Sequence, residues 1–197
     1  MIFIYHQKFG DLWCAAAMED DRILATGWTS DEQTVLKQML ESVPSNVQFQ
    51  VADKTTPTAE RVLTTIKSMI EGKNVSTDFK FEMAHLPKYS QRILGFLAKV
   101  PVGYVTTYGA LAKAAGGGPR AVGRVMATNP FAPLIPCHRV VRSDFTVGGF
   151  GGEIVGEGVN TKLTLLRRED RGYKEATKLE VKGSVLSLFP ASFARKN

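Results

Sequence analysis

The sequence predicts an α/β protein of the α+β kind, with a small mixed α/β N-terminal domain and a helical C-terminal domain containing a helix-turn-helix of winged-helix type. Three observations predict it. Short apolar runs separated by polar turns fill the first half, whereas apolar residues recur at helical spacing beyond residue 90. Charge divides the same way: residues 1–78 hold 7 Lys+Arg against 11 Asp+Glu, so 18 of the 25 basic residues but only 8 of the 19 acidic ones lie beyond Asp78. With 197 residues and 44% apolar composition the chain can bury one good core or two small ones. The expected division is 1–78 for the first domain, 79–90 for a linker, 91–170 for the helix-rich second domain, and 171–197 for a C-terminal extension.

In the first domain Met1–Tyr5, Leu12–Met18 and Ile23–Trp28 read as short strands, with Glu19-Asp20-Asp21 as a turn. Ser30 followed by Gln33 forms a capping box, after which Val35, Leu36, Met39, Leu40 and Val43 mark a helix. Val47, Phe49 and Val51 alternate as in a strand. A second helix runs from Pro57 through Val62, Leu63, Ile66 and Ile70, and Gly72 can end it. Trp13, Trp28 and Cys14 are read as core, and His6 and His85 as ordinary histidines. With Cys14 they are the only soft donors here and their spacing is irregular, so no metal is expected.

Beyond the linker, Ile93, Phe96, Leu97 and Val100 define a helix stopped by Pro101. Thr106 or Thr107 can cap a short helix through Leu111 and Ala115, which Gly116-Gly117-Gly118 breaks. Pro119 suits the first turn of the next helix, Arg120–Thr128, whose inward face is Val122, Val125 and Met126. Arg120 and Arg124 then point outward with small Gly123 between them, a narrow basic face able to approach a nucleic-acid backbone. Asn129 precedes Pro130 and leaves helical geometry. An apolar run, Ala132–Ile135, leads into Pro136-Cys137-His138-Arg139-Val140-Val141. The glycine-rich loop Val147–Gly152 and a helix through Leu163, Leu165 and Leu166 to Glu169 follow, and in the tail Leu179, Val181 and Val185–Leu188 suggest a packed extension.

No segment reaches the roughly 18 uninterrupted apolar residues of a membrane span, and the opening residues lack the pattern of a signal peptide, so a cytoplasmic location is expected, nuclear in a eukaryote. The concentration of basic charge beyond Asp78 suggests a polyanionic partner. A cysteine acts as a nucleophile only as thiolate, and His138 and Arg139 are the adjacent residues able to supply a base or positive potential to Cys137. Whether any contact is direct or relayed by water stays open at this stage.

Pro136–Val140 is the Pro-Cys-His-Arg-Val signature of the O6-alkylguanine-DNA alkyltransferases, and the sequence resembles that family most strongly from Lys99 to about Asp170. Arg120-Ala121-Val122-Gly123, Asn129-Pro130 and the cysteine follow its order and spacing, and Val147-Gly148-Gly149-Phe150, Lys162, Leu165-Leu166 and Glu169 resemble its closing segment. The resemblance implies irreversible transfer of an alkyl group from O6 of guanine to Cys137, once per molecule, with no cofactor. It implies that His138 acts as base through a water, that Glu169 orients His138, and that Asn129 holds the turn before the active-site segment. Tyr108 would crowd the target phosphate and Arg120 would fill the gap left by a base turned out of the duplex. Arg124, Ala121 and Gly123 would complete a minor-groove face, and the backbone of Val140 and of the loop containing Val147, Phe150 and Gly151 would contact the guanine. The implied partner is double-stranded DNA containing O6-alkylguanine. No membrane is involved, and a monomer is expected, with cooperative crowding on DNA left open.

The sequence departs from the family at Phe150 and Gly151, where some members carry tyrosine and serine, and Glu153–Asn160 is longer than usual. A helix-turn-helix regulator or a non-catalytic damage sensor is the alternative reading, although Ala121, Gly123 and Ala127 are poor base readers. A cysteine hydrolase is disfavoured because no nucleophile elbow surrounds Cys137.

Overall fold

The computed structural model describes residues 1–43, 47–151 and 153–196. Gly152, at the end of the predicted glycine-rich loop, and Asn197, the last residue of the predicted extension, lie outside the described residues. The chain is mixed α/β and groups into two compact units. The first comprises Met1–Ile70, Asn74–His85 and Pro130–Leu134, and the second Glu71–Lys73, Leu86–Asn129 and Ile135–Asn197.

The first unit contains a five-stranded sheet in the order β4-β1-β2-β3-β5. Its strands are β1 (Ile2–Phe9), β2 (Leu12–Glu19), β3 (Arg22–Thr29), β4 (Phe49–Val51) and β5 (Lys80–Phe81). β1, β2 and β3 pair antiparallel through tight turns, which places Ile4 opposite Ala17 and Ala17 opposite Ala25. Small alanines on β2 let helix α1 (Glu32–Ser42) bring Val35 and Met39 onto Ile2, Ile4, Ala15 and Ala25. The cap of α1 is Asp31, not the expected Ser30: its carboxylate accepts from the Thr34 N–H at 2.7 Å and from the Thr34 hydroxyl at 2.6 Å. Two short hydrogen bonds to one carboxylate oxygen outcompete the single hydroxyl one residue earlier. Helix α2 (Pro57–Ile70) buries Val62, Leu63, Ile66 and Met69. Cys14 is fully buried on β2, while Trp13 is only partly buried against the core. Pro130–Leu134 joins this unit through the Pro130 carbonyl, which accepts from Thr26 N–H at 2.8 Å, and the Ala132 carbonyl, which accepts from the Thr26 hydroxyl at 2.8 Å.

The second unit combines helices α3 (Lys88–Leu97), α4 (Tyr108–Ala115), α5 (Pro119–Ala127) and α6 (Glu157–Glu169) with a four-stranded sheet that the sequence reading did not anticipate. Its order is β7-β6-β9-β8, from β6 (Tyr104–Thr107), β7 (Val140–Val141), β8 (Thr177–Val181) and β9 (Ser184–Pro190). Thr107, rather than Thr106, caps α4 by accepting from the Ala110 N–H at 3.0 Å; the Thr106 hydroxyl instead donates to the Ser187 carbonyl at 2.9 Å. The tail is a packed hairpin, since β8 pairs with β9 and β9 with β6. Val105, Val141, Val147, Val159, Leu163, Leu166 and Ala191 close the core that supports the active-site segment. Among the described residues no helix is long and apolar enough to cross a membrane.

Candidate active site

Cys137 opens a single 3₁₀ turn, Cys137–Arg139, between the returning chain and β7. The turn is fixed by main-chain bonds from Cys137 N–H to the Ile135 carbonyl (2.9 Å) and from Arg139 N–H to the Pro136 carbonyl (2.9 Å). Asn129 fixes the other side, donating from Nδ2 to the Ile135 carbonyl at 2.8 Å and hydrogen-bonding the cysteine sulfur. Cys137 is 7% exposed and lines a cavity of about 230 Å³ together with Tyr108, Met126, Gly149, Phe150 and Ile154. Burial pushes its thiol above the ordinary value, against the pull of the Asn129 hydrogen bond, the Lys162 ammonium and the neighbouring main-chain N–H groups. A resting thiol of this kind needs its proton removed at reaction.

His138 follows Cys137 in the same turn. His138 is 1% exposed and its Nε2 is 2.9 Å from Oε1 of Glu169, itself 1% exposed. Arg139 donates to the same carboxylate from Nε (2.8 Å) and Nη2 (2.9 Å), and from Nη1 to the Val100 carbonyl at 2.5 Å. Burial alone would raise the Glu169 carboxyl, but His138 and Arg139 outweigh it and hold the group at about 2. Burial pushes His138 down despite the Glu169 charge, with Arg139 and Lys162 adding to the downward shift. One carboxylate and one guanidinium therefore balance, and the imidazole is neutral. A carboxylate can only accept, so Nε2 carries the proton and Nδ1 the lone pair. Nδ1 has no hydrogen-bond partner among the described residues, which leaves it able to accept a proton.

Arg139 thus serves Glu169 rather than lending positive potential to the thiol. That potential comes from Lys162, whose contribution the motif alone did not convey. It is 1% exposed on α6, its Nζ donates to the Gly149 carbonyl at 3.2 Å and lies 5.7 Å from the Tyr108 ring centre. Burial pushes Lys162 down to about 8, with the Cys137 charge opposing and Arg142 assisting. Tyr108, the first residue of α4, is pushed up by burial and by the Cys137 charge, with Arg142 opposing. Lys162 and Glu169 share the buried stripe of α6 with Val159, Leu163 and Leu166. Two charged residues at apolar positions of a helix were the signal that could have singled them out.

The cavity is roofed by a tight turn in which Phe150 and Glu153 exchange main-chain hydrogen bonds of 2.8 and 3.0 Å. Glu153 then caps α6, its Oε2 accepting from the Gly158 N–H at 2.7 Å. Glycine is required where this turn folds back on its own backbone: a Cβ at Gly158 would lie 2.4 Å from the Phe150 carbonyl oxygen, and one at Gly149 2.8 Å from that of Glu153. Glu153 and Ile154, which open the stretch that the sequence reads as longer than usual, are part of the cavity wall, and Ile154 is a lining residue that the sequence reading missed.

Among the other expected site residues, Phe150 and Gly151 line this cavity, and Gly123 lines both it and an adjoining open basin of about 690 Å³. Arg120 and Tyr108 also line the basin, whereas Ala121 and Arg124 line neither. Arg120 and Arg124 are exposed on α5, and a Cβ at Gly123 would meet open space. Val140 and Val147 are fully buried outside both linings. Their N–H groups donate to the Cys137 and Arg195 carbonyls. The second cysteine offers no competing site, because burial pushes Cys14 up to about 12 despite Lys67.

Residues 88–171 match the family model of the 6-O-methylguanine DNA methyltransferase DNA-binding domain. The chain is 35% identical over 119 residues to the methylated-DNA–protein-cysteine methyltransferase of Methanothermobacter thermautotrophicus, covering 59% of this chain and 65% of that one. It is 44% identical over 88 residues to the protein of the same name from Pyrobaculum aerophilum, covering 45% and 55%. The aligned stretch therefore spans less than two thirds of either relative. The crystal structure of O6-methylguanine-DNA methyltransferase from Pyrococcus kodakaraensis superposes with a TM-score of 0.64 at 25% identity, covering 86% of this chain and 99% of that one.

Proposed function

We propose that this chain is an O6-alkylguanine-DNA alkyltransferase, like the methyltransferases it resembles, and that it repairs DNA by moving an alkyl group from O6 of guanine to Cys137. The observation that carries this reading is a single buried thiol at a base-sized cavity, with Lys162 beside it and, next in the chain, a neutral His138 held by the Glu169 carboxylate. The thiol proton passes to His138 Nδ1, through a water, and the sulfur attacks the alkyl carbon. The S–C bond forms as the C–O6 bond breaks, and guanine leaves and regains a proton, so the net change exchanges alkyl group and thiol proton. A thioether sulfur is a poor leaving group, so the protein is spent after one event.

A stacked guanine cannot reach the thiol, so the base is turned out into the cavity. Helices α4 and α5 act as the helix-turn-helix, with α5 in the minor groove and Arg120 in the vacated space, where it offsets part of an unstacking cost of roughly a few kcal/mol. Affinity is set by phosphate charge rather than by sequence. The protein acts as a monomer wherever the DNA resides, in the cytoplasm or, in a eukaryote, the nucleus. After incubation with duplex DNA containing O6-methylguanine, peptide mass spectrometry should find one added methyl group, on the peptide containing Cys137. A methyl group elsewhere, or none on folded protein, would overturn the assignment and favour a non-catalytic damage sensor.

A further inference from the structure

We propose that Arg142 anchors the DNA phosphodiester of the turned-out nucleotide, an inference that rests on the base-flipping reading above. Arg142 follows β7 directly, and its backbone is pinned: its N–H donates to the Thr146 carbonyl at 2.9 Å and its carbonyl accepts from the Phe145 N–H at 3.0 Å. The Asp144 carboxylate locks this turn by accepting from the Thr146 N–H at 3.0 Å and hydroxyl at 2.8 Å. The arginine therefore leaves a rigid support.

Its side chain runs to the mouth of the cavity. A Cβ at Gly148 would lie 3.5 Å from Arg142 Cγ, 3.6 Å from Arg142 Nε and 3.5 Å from the Tyr108 ring, so arginine and tyrosine flank the same glycine. The adjoining basin shares Tyr108, Gly123, Gly149 and Ile154 with the Cys137 cavity, and Arg120 and Arg142 both line it. Arg139, three residues earlier, is neutralised by Glu169, whereas Arg142 is exposed and makes no ion pair among the described residues. A nucleotide with its base in the Cys137 cavity must place its sugar and phosphate in the adjoining space. An uncompensated guanidinium there, beside a second one from α5, suits a phosphate by charge and by its paired donors.

The test compares the full chain with Arg142→Ala and Arg142→Lys on two substrates, lesion-containing duplex and the free base O6-benzylguanine, which has no phosphate. The ratio of rate constants at sub-saturating protein, duplex over free base, should fall about tenfold in the alanine variant, the loss of one charge-assisted contact. The slope of log binding constant against log salt on the same duplex should become shallower by about 0.9, one phosphate's share, and the lysine variant should restore it. An unchanged ratio and slope would overturn the proposal, as would equal losses on both substrates or a slope that lysine fails to restore. Should the wild type react with neither substrate, the transfer reading falls by itself, and the salt slope still decides for or against Arg142.

Discussion

Cys137→Ala should abolish alkyl transfer, by more than about ten-thousandfold, while the protein stays folded and still binds duplex DNA. The size of the effect follows from the kind of step involved. In the proposed transfer the sulfur is the acceptor of the group, so the remaining residues have no bond to form, in contrast to variants that merely slow a proton transfer. The other thiol cannot substitute, being fully buried in the first unit and pushed up to about 12. The structural cost is small, because alanine loses one sulfur and its hydrogen bond to Asn129, about 1 kcal/mol, while Asn129 keeps the Ile135 carbonyl. Circular dichroism and a duplex-binding titration would check the fold and the DNA interface. Residual transfer in this variant would mean that another group accepts the alkyl.

Glu169→Gln should damage both stability and rate. The carboxylate takes hydrogen bonds from His138 Nε2 and from Arg139 Nε and Nη2 at 1% exposure. Glutamine keeps the shape but leaves the Arg139 guanidinium buried without a counter-charge, a break that costs about 3–5 kcal/mol. Against a whole stability of roughly 5–15 kcal/mol, this should be plain in urea unfolding. The orientation of His138 is lost with it, and transfer should slow by about a hundredfold or more. The pH dependence has a fixed sign. The folded Glu169 titrates near 2, below its ordinary 4.5, so its contribution is fully present above pH 4.5 and is lost as the pH falls towards 2. The acid limb of the stability curve should therefore be flatter in the variant. Equal acid sensitivity in both proteins would show that the His138–Glu169–Arg139 cluster is not what the folded state protects.

Part of the candidate site was legible because its residues are adjacent: Cys137 and His138 stand together in one motif and share one buried turn. Glu169 lies 31 residues from His138, and only the family resemblance pointed to it. Helices were legible where the apolar period is long, as in α2 and α6. The second sheet was not, because β7 has two residues and β6 four, too few to show alternation, and β6 draws its antiparallel partner β9 from the tail. Arg139 could be named from the motif but not aimed, since only the fold decides that its guanidinium turns to Glu169. Lys162 was visible as a letter of the closing segment, while its burial beside the thiol depends on the Gly149 carbonyl and on helix placement.

Single-turnover transfer is the central claim, and a titration tests it most directly: radiolabelled O6-methylguanine duplex in excess over a known amount of folded protein, followed to completion. Label on the protein should level off at about one equivalent, vanish with Cys137→Ala and not rise with time. Continued release of repaired DNA beyond one equivalent, or a plateau at zero with intact DNA binding, would contradict the account.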